Sequence, residues 1–219
     1  MSRAPSSAPV AGLHVLADDD PRWPAGPVEQ ARAACAGGAA VVQLRCKRSR
    51  DGEILAWAHE IRRLTREAGV TFLVNDRFDL ALLADADGVH LGQEDLPPER
   101  LPADARERLL VGRSTHDEAE LARACAEPID YVAYGPIFGT TTKEVGHAAR
   151  GLHALREAAR RVAPRPLVAI GGLDAASLPA VIAAGARGAA VISAVAAAAD
   201  PEAAARRLAT CFASAGAPA

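Results

Sequence analysis

"AVVQLRCKRSRDGEILAWAHEIRRLTREAGVTFLVN" (residues 40–75) holds two short apolar runs separated by a pattern of a different period. AVVQLR (40–45) and TFLVN (71–75) are near-continuous and rich in β-branched residues, as expected of strands covered on both faces. Between them, Ile54, Trp57, Ile61 and Leu64 fall on one face at helical spacing, and Gly69 stands where a helix C-terminal cap belongs. The stretch reads as strand, helix, strand. Strands joined by a crossover helix run parallel.

The same beat recurs on either side. LHVLA (13–17) precedes it, and GVHLG (88–92), LLVGRS (109–114), YVAYG (131–135), PLVAIGG (166–172) and AAVIS (189–193) follow. Helix signals lie between the runs. Thr115 with Glu118 reads as a capping box opening HDEAELARACA, and Asp200 then Pro201 supplies an N-cap and first-turn proline for the last helix. The fourth helix, in LPPERLPADARER, carries prolines and should reach only one or two turns. Eight such beats without a GxGxxG after the first strand favour a single (β/α)8 TIM barrel; an open doubly wound sheet is the alternative. The expected boundaries are a flexible N-terminus (1–10), one catalytic domain (11–213) and a flexible C-terminus (214–219).

Composition narrows the function classes. The net charge of −2, with acids and bases interspersed, gives no footprint for nucleic acid or an anionic membrane. No apolar run approaches the roughly 20 residues of a membrane span, and MSRAPSSAPV lacks the regions of a secretion signal. Cys35, Cys46, Cys125 and Cys211 are scattered without ligand spacing, which suggests reduced thiols and a cytoplasmic protein. Oligomeric state is not readable.

In a barrel of this kind the chemistry sits at the C-terminal strand ends. In VVQLRCK, Gln43, Arg45 and Lys47 are spaced by two, and Val42, Leu44 and Cys46 share the other face. The apolar set must face the helices, which turns the polar set to the barrel axis. Two cations there need an anion, or else barrel acids, opposite them. The third run ends in Asn75 and Asp76, and the fourth leads to Asp95. Two carboxylates without His or Cys partners suit Mg²⁺; an N-cap role is the alternative for Asp76. His90, inside an apolar run, reads as a core or supporting residue, and His116 and His147 as surface residues. The fifth run ends at Ser114, and the sixth in GPIFGTTTKE with Thr140, Thr141, Thr142 and Lys143. Gly172 after the seventh and Ile192-Ser193 after the eighth are small or hydroxyl-bearing, as a phosphate held by backbone N–H groups requires. Two anion sites follow. One, with Arg45, Lys47, Lys143 and Mg²⁺, has charge for a diphosphate; the other, with the threonines, Gly172 and Ser193, suits a monophosphate. No Ser/His/Asp set and no general-base histidine at a strand end are visible, so the chemistry should be driven by leaving-group departure.

Taken in order, QLRCK, NDRFDLALLADADGVHLGQED, GRSTH, DYVAYGPIFGTTTK, AIGGL and AVIS resemble the thiamine phosphate synthase family over nearly the whole chain. The resemblance implies condensation of 4-amino-2-methyl-5-hydroxymethylpyrimidine diphosphate with a thiazole phosphate, giving thiamine phosphate and diphosphate through a pyrimidine cation. It implies that Gln43, Arg45, Lys47, Asn75, Ser114 and Lys143 hold the pyrimidine diphosphate, with Lys143, Arg45 and Lys47 catalytic. Asp76 and Asp95 would hold one Mg²⁺ per subunit, and Thr140, Thr141, Thr142, Gly172, Ile192 and Ser193 the thiazole phosphate. Cys46 and Gly139 depart from residues common in the family; Cys46 should face the helices, and Gly139 could loosen the threonine loop. The rivals are a thiazole tautomerase, which would carry a histidine at Pro136 and lack the full threonine–lysine loop, and a non-catalytic regulatory barrel, which would lose the charged residues retained here.

Overall fold

The computed structural model describes residues 10–139 and 148–215. The expectations placed on the two ends, on Thr140, Thr141, Thr142 and Lys143, and on His147 lie outside the described residues, except at Val10, which is buried, and where the last helix runs into residues 214 and 215.

Eight parallel strands close on themselves in chain order, β8 pairing back onto β1. They are β1 (Gly12–Asp18), β2 (Val41–Arg45), β3 (Thr71–Asn75), β4 (Gly88–Leu91), β5 (Leu110–Thr115), β6 (Tyr131–Tyr134), β7 (Leu167–Ile170) and β8 (Gly188–Val191). The described helices are α1 (Pro27–Ala36), α2 (Asp51–Ala68), α3 (Phe78–Leu83), α4 (Ala103–Arg108), α5 (Glu118–Ala126), α6 (Gly151–Val162), α7 (Leu178–Ala183), α8 (Ser193–Ala196) and α9 (Pro201–Ala215). The barrel is the expected one, and all eight runs became strands within a residue or two of their expected ends.

Strand alternation sorts the apolar residues into two layers. Val42, Leu44, Phe72, Val74, Val89 and Leu91 belong to the shell between strands and helices, with α2 adding Ile54, Ile61 and Leu64. Leu16, Val41, Leu73, Tyr131 and Val168 fill the barrel itself. Cys46 packs against the outer shell, as its alternation required, and burial pushes its thiol up to about 12. The barrel floor is closed by Val10, whose carbonyl lies 2.7 Å from His14 Nε2. Above it, Tyr131 needs the space left by Gly112. A Cβ there would stand 2.1 Å from the Tyr131 ring.

Local signals acted largely as expected. Gly69, at φ 68°, ends α2 in the left-handed conformation that glycine adopts without steric cost. Asp200 Oδ1 accepts from the Ala203 N–H at 2.9 Å and opens α9. The proline-rich fourth segment is one 3-10 turn (Pro98–Arg100) and the short α4. The capping box at Thr115 is a correction. Thr115 belongs to β5, where its hydroxyl donates to the Ala133 carbonyl at 2.9 Å. Asp117 caps α5 instead, accepting from the Glu120 N–H at 2.8 Å, and Glu120 Oε2 accepts from the His116 N–H at 2.7 Å. The strand runs one residue further than its apolar pattern suggested, moving the cap by two.

Candidate active site

The second strand sets the charge at the barrel mouth. Alternation turns Gln43 and Arg45 inward, and the register places Asp18 of β1 opposite Arg45. Arg45 Nη1 lies 2.5 Å from Asp18 Oδ2, and Asp18 is only 3% exposed. Asp18 is itself fixed. Its other oxygen accepts from Trp23 Nε1 (2.9 Å) and the Asp20 N–H (3.0 Å). The buried Gln30 amide brackets its backbone, accepting from the Asp18 N–H at 3.0 Å and donating to its carbonyl at 2.9 Å. Arg45 is therefore oriented before any ligand arrives.

Asp19 organises the following loop. Its carboxylate accepts from the N–H groups of Lys47 (2.9 Å), Arg48 (2.9 Å) and Ser49 (2.8 Å). Burial alone would raise the Asp19 pKa, but these backbone donors and the Ser49 hydroxyl outweigh it and lower it. Asp18, Asp19, Trp23 and Gln30 were not anticipated. The DDD run at 18–20, directly after an apolar strand and beside a strand bearing two cations, was the available signal.

Asp76 follows β3 in the left-handed region, at φ 65°, where a residue other than glycine is uncommon. Its N–H donates to the His90 carbonyl at 2.8 Å, and its Oδ2 is 2.5 Å from Lys47 Nζ. It does not cap α3. Arg77 holds that position, its guanidinium forked between Asp51 (2.7 and 3.0 Å) and Asp79 (2.7 and 2.9 Å). Asp95 Oδ2 accepts from the Gly92 N–H at 2.6 Å. Burial first, and then a hydrogen bond to Asp76, raise the Asp95 pKa. Two carboxylates this close repel unless a proton or cation sits with them. No group of three or more His, Cys, Asp or Glu among the described residues could hold a metal. The donors present nevertheless fit Mg²⁺, which needs few carboxylates and completes its shell with water and substrate oxygens.

Deeper in the mouth, the Gln43 side chain is buried and makes no hydrogen bond among the described residues. Asn75 adjoins His90 across the β3–β4 ladder. His90 Nε2 is 2.8 Å from Ser114 Oγ, and His90 Nδ1 is 2.8 Å from the Tyr131 hydroxyl. Arg113, one residue before Ser114, faces the opposite way. Its Nη1 donates to the Gly92 carbonyl at 2.5 Å, and its Nε lies 3.2 Å from Glu127 Oε2, both side chains being nearly buried. Arg113 thus steadies the turn whose N–H holds Asp95. Only its burial, invisible in the sequence, distinguishes it from a surface arginine.

The opposite arc is backbone. The Ile137 N–H donates to the Ile170 carbonyl (2.9 Å) and the Phe138 N–H to the Gly171 carbonyl (3.0 Å), so the β6–β7 contact continues past both strands. Gly172, at φ 64°, packs so closely that a Cβ would meet the Gly139 carbonyl at 2.6 Å. Ile192 and Ser193 follow the neighbouring β8, and Ser193 opens α8 rather than closing the strand. The structure therefore gathers Gln43, Arg45, Lys47, Asn75, Asp76, Asp95 and Ser114 on one arc, and Gly172, Ile192 and Ser193 on another.

No described helix is long and apolar enough to cross a membrane. A family model described as thiamine monophosphate synthase matches residues 13–195. The thiamine-phosphate synthase of Anaeromyxobacter dehalogenans is 47% identical over 205 residues, covering 94% of this chain and 89% of its own length. That of Methanoculleus marisnigri is 46% identical over 196 residues, covering 90% and 92%. The solved thiamine phosphate pyrophosphorylase from Pyrococcus furiosus superposes with a TM-score of 0.84 at 35% identity, covering 94% of this chain and 98% of that one. A 3-hexulose-6-phosphate synthase, at TM-score 0.63 and 18% identity, shares the fold alone. Family model, relatives and solved structure agree with one another, and the chain belongs to the thiamine monophosphate synthase family.

Proposed function

We propose that this chain is a thiamine phosphate synthase, joining the hydroxymethylpyrimidine diphosphate to a thiazole phosphate and releasing diphosphate. The observation that carries the reading is Arg45, anchored by buried Asp18 beside Lys47 and the Asp76–Asp95 pair. With Mg²⁺ at the two carboxylates, a mouth so built would receive a strongly anionic leaving group. Arg45, Lys47 and Lys143 would bind and orient the diphosphate, while Gln43, Asn75 and Ser114 hold the pyrimidine. Asp76 and Asp95 would hold Mg²⁺, which when bound supplies charge stabilisation for the departing diphosphate. Gly172, Ile192, Ser193 and Thr140–Thr142 would seat the thiazole phosphate.

The bond from the pyrimidine methylene carbon to the diphosphate oxygen breaks, and its electron pair leaves with the diphosphate. The thiazole nitrogen then supplies the pair for the new C–N bond to the resulting cation. That nitrogen carries no proton, so the chemistry asks for no general base, consistent with a mouth rich in cations and amides. The four unpaired cysteines suit a cytoplasmic location. With Mg²⁺ present, purified protein should release diphosphate and form thiamine phosphate only when both substrates are supplied. Absence of thiamine phosphate under those conditions overturns the reading.

A further inference from the structure

Three side chains on three adjacent strands form a hydrogen-bonded row inside the barrel. Tyr131 on β6 is 1% exposed, and its ring occupies the space that Gly112 leaves open on β5. Among the described residues its hydroxyl has one hydrogen-bond partner, His90 Nδ1 on β4. The direction of that bond decides the rest of the row. A buried hydroxyl proton without an acceptor is costly, so Tyr131 donates and Nδ1 accepts. Burial also pushes the phenol pKa up, which keeps its proton in place. An imidazole that accepts at Nδ1 carries its hydrogen on Nε2. Nε2 therefore donates to Ser114 Oγ, 2.8 Å away. With that oxygen already accepting from below, the partly exposed Ser114 hydroxyl is left to donate its hydrogen into the mouth.

We infer that Tyr131 and His90 are positioning residues that make Ser114 a hydrogen-bond donor, directed at a lone pair of the pyrimidine diphosphate rather than at its exocyclic amine. The substrate part of this inference rests on the proposed synthase reading; the tautomer part does not. An acceptor atom on the ligand takes up the Ser114 hydrogen, whereas an N–H group would use the remaining lone pair and leave that hydrogen without an acceptor on the ligand. The row also explains why a tyrosine, which needs a missing Cβ beside it, occupies a position where a plain apolar side chain would pack more simply. Its hydroxyl fixes the histidine and the histidine fixes the serine.

The experiment has two arms. The first is nitrogen NMR of the intact, ligand-free protein labelled with ¹⁵N-histidine, with the His90 signals assigned by their loss in His90→Gln. An unprotonated Nδ1 and a protonated Nε2 are expected. A protonated Nδ1 overturns the inference; the tautomer is read on the wild-type protein, and should His90→Gln not fold, substituting the other five histidines one at a time assigns the His90 signals by elimination. The second is a double-mutant cycle on kcat/KM for the pyrimidine diphosphate. Tyr131→Phe should lower it about tenfold in the wild-type background, the scale of one lost hydrogen bond, and by less than about twofold in Ser114→Ala, where the donor is already absent. The KM for the thiazole phosphate should not move. Effects that simply multiply assign Tyr131 a packing role and overturn the inference. Absence of any turnover in the wild type would instead overturn the proposed reaction, leaving the nitrogen shifts to decide the tautomer.

Discussion

Lys47 Nζ stands 2.5 Å from Asp76 Oδ2, and Asp76 in turn helps to hold the Asp95 pKa above the usual carboxylate range. The lysine pairs with a carboxylate that the proposed reaction assigns to a cation. The Lys47 side chain is half exposed, so the pair itself adds little to stability. A divalent ion at the two carboxylates would release the lysine toward the diphosphate.

Asp76→Asn tests this. Asparagine tolerates the left-handed backbone at this position, so the fold should be kept. Turnover should fall on the order of 100-fold, as for loss of a charge-stabilising contact, and the Mg²⁺ concentration giving half-maximal activity should rise. Mg²⁺ titration of wild type and variant checks both. An unchanged titration removes Asp76 from the metal site.

Asp18→Asn should act on binding. It leaves Arg45 without its carboxylate and free to reorient, and the expected result is a KM for the pyrimidine diphosphate raised about tenfold, with a smaller change in kcat. Steady-state kinetics with the thiazole phosphate saturating reads the split. Equal loss in kcat alone would place Asp18 outside substrate positioning.

Breaking the Arg113–Glu127 pair should be felt twice. Arg113→Met leaves the nearly buried Glu127 unpaired, and removal of one partner of a buried pair costs at most about 3–5 kcal/mol. The turn carrying Gly92 also loses its anchor, so the Mg²⁺ requirement should increase although Arg113 touches neither carboxylate. Urea denaturation and the same Mg²⁺ titration report the two effects separately.

His14 gives the fold an acid-sensitive floor. Burial lowers its pKa from 6.5 to about 4. Between those values the unfolded chain binds a proton that the folded chain does not, so stability falls as pH drops from about 6.5 toward 4, by roughly 3 kcal/mol in all. His14→Gln lacks that loss. The stability advantage of wild type over variant, from urea midpoints between pH 7 and 4.5, should shrink with falling pH. Parallel curves would remove His14 from the acid response.

The barrel was legible because its signals are periodic and local. Val42 and Leu44 against Gln43 and Arg45 is an alternation that burial obeys directly, and Gly69 ends a helix whatever lies around it. The candidate site was legible where chemistry and strand ends coincide, at Arg45, Asp76, Asp95 and Ser114, whose placement at the mouth follows from the strands. What stayed hidden is long-range. Asp18 becomes Arg45's partner only through the β1–β2 register, and Arg113 matters only because two elements bury it. His90 read as a supporting residue, yet nothing near it in sequence names Tyr131, 41 positions away. The Thr115 box failed because a strand and a helix start competed for one residue and the ladder won.

The sealed floor beneath Tyr131 has a consequence for traffic. Among the described residues, Val10, His14, Leu16, Val41 and Leu73 are all buried and fill the barrel below Tyr131, so a ligand reaches Ser114 from the mouth. A molecule resting on Ser114 must come in ahead of anything seated nearer the rim, and must wait for it to go. Under the proposed reaction both substrates and the finished product share that mouth, the product leaving by the way its parts arrived.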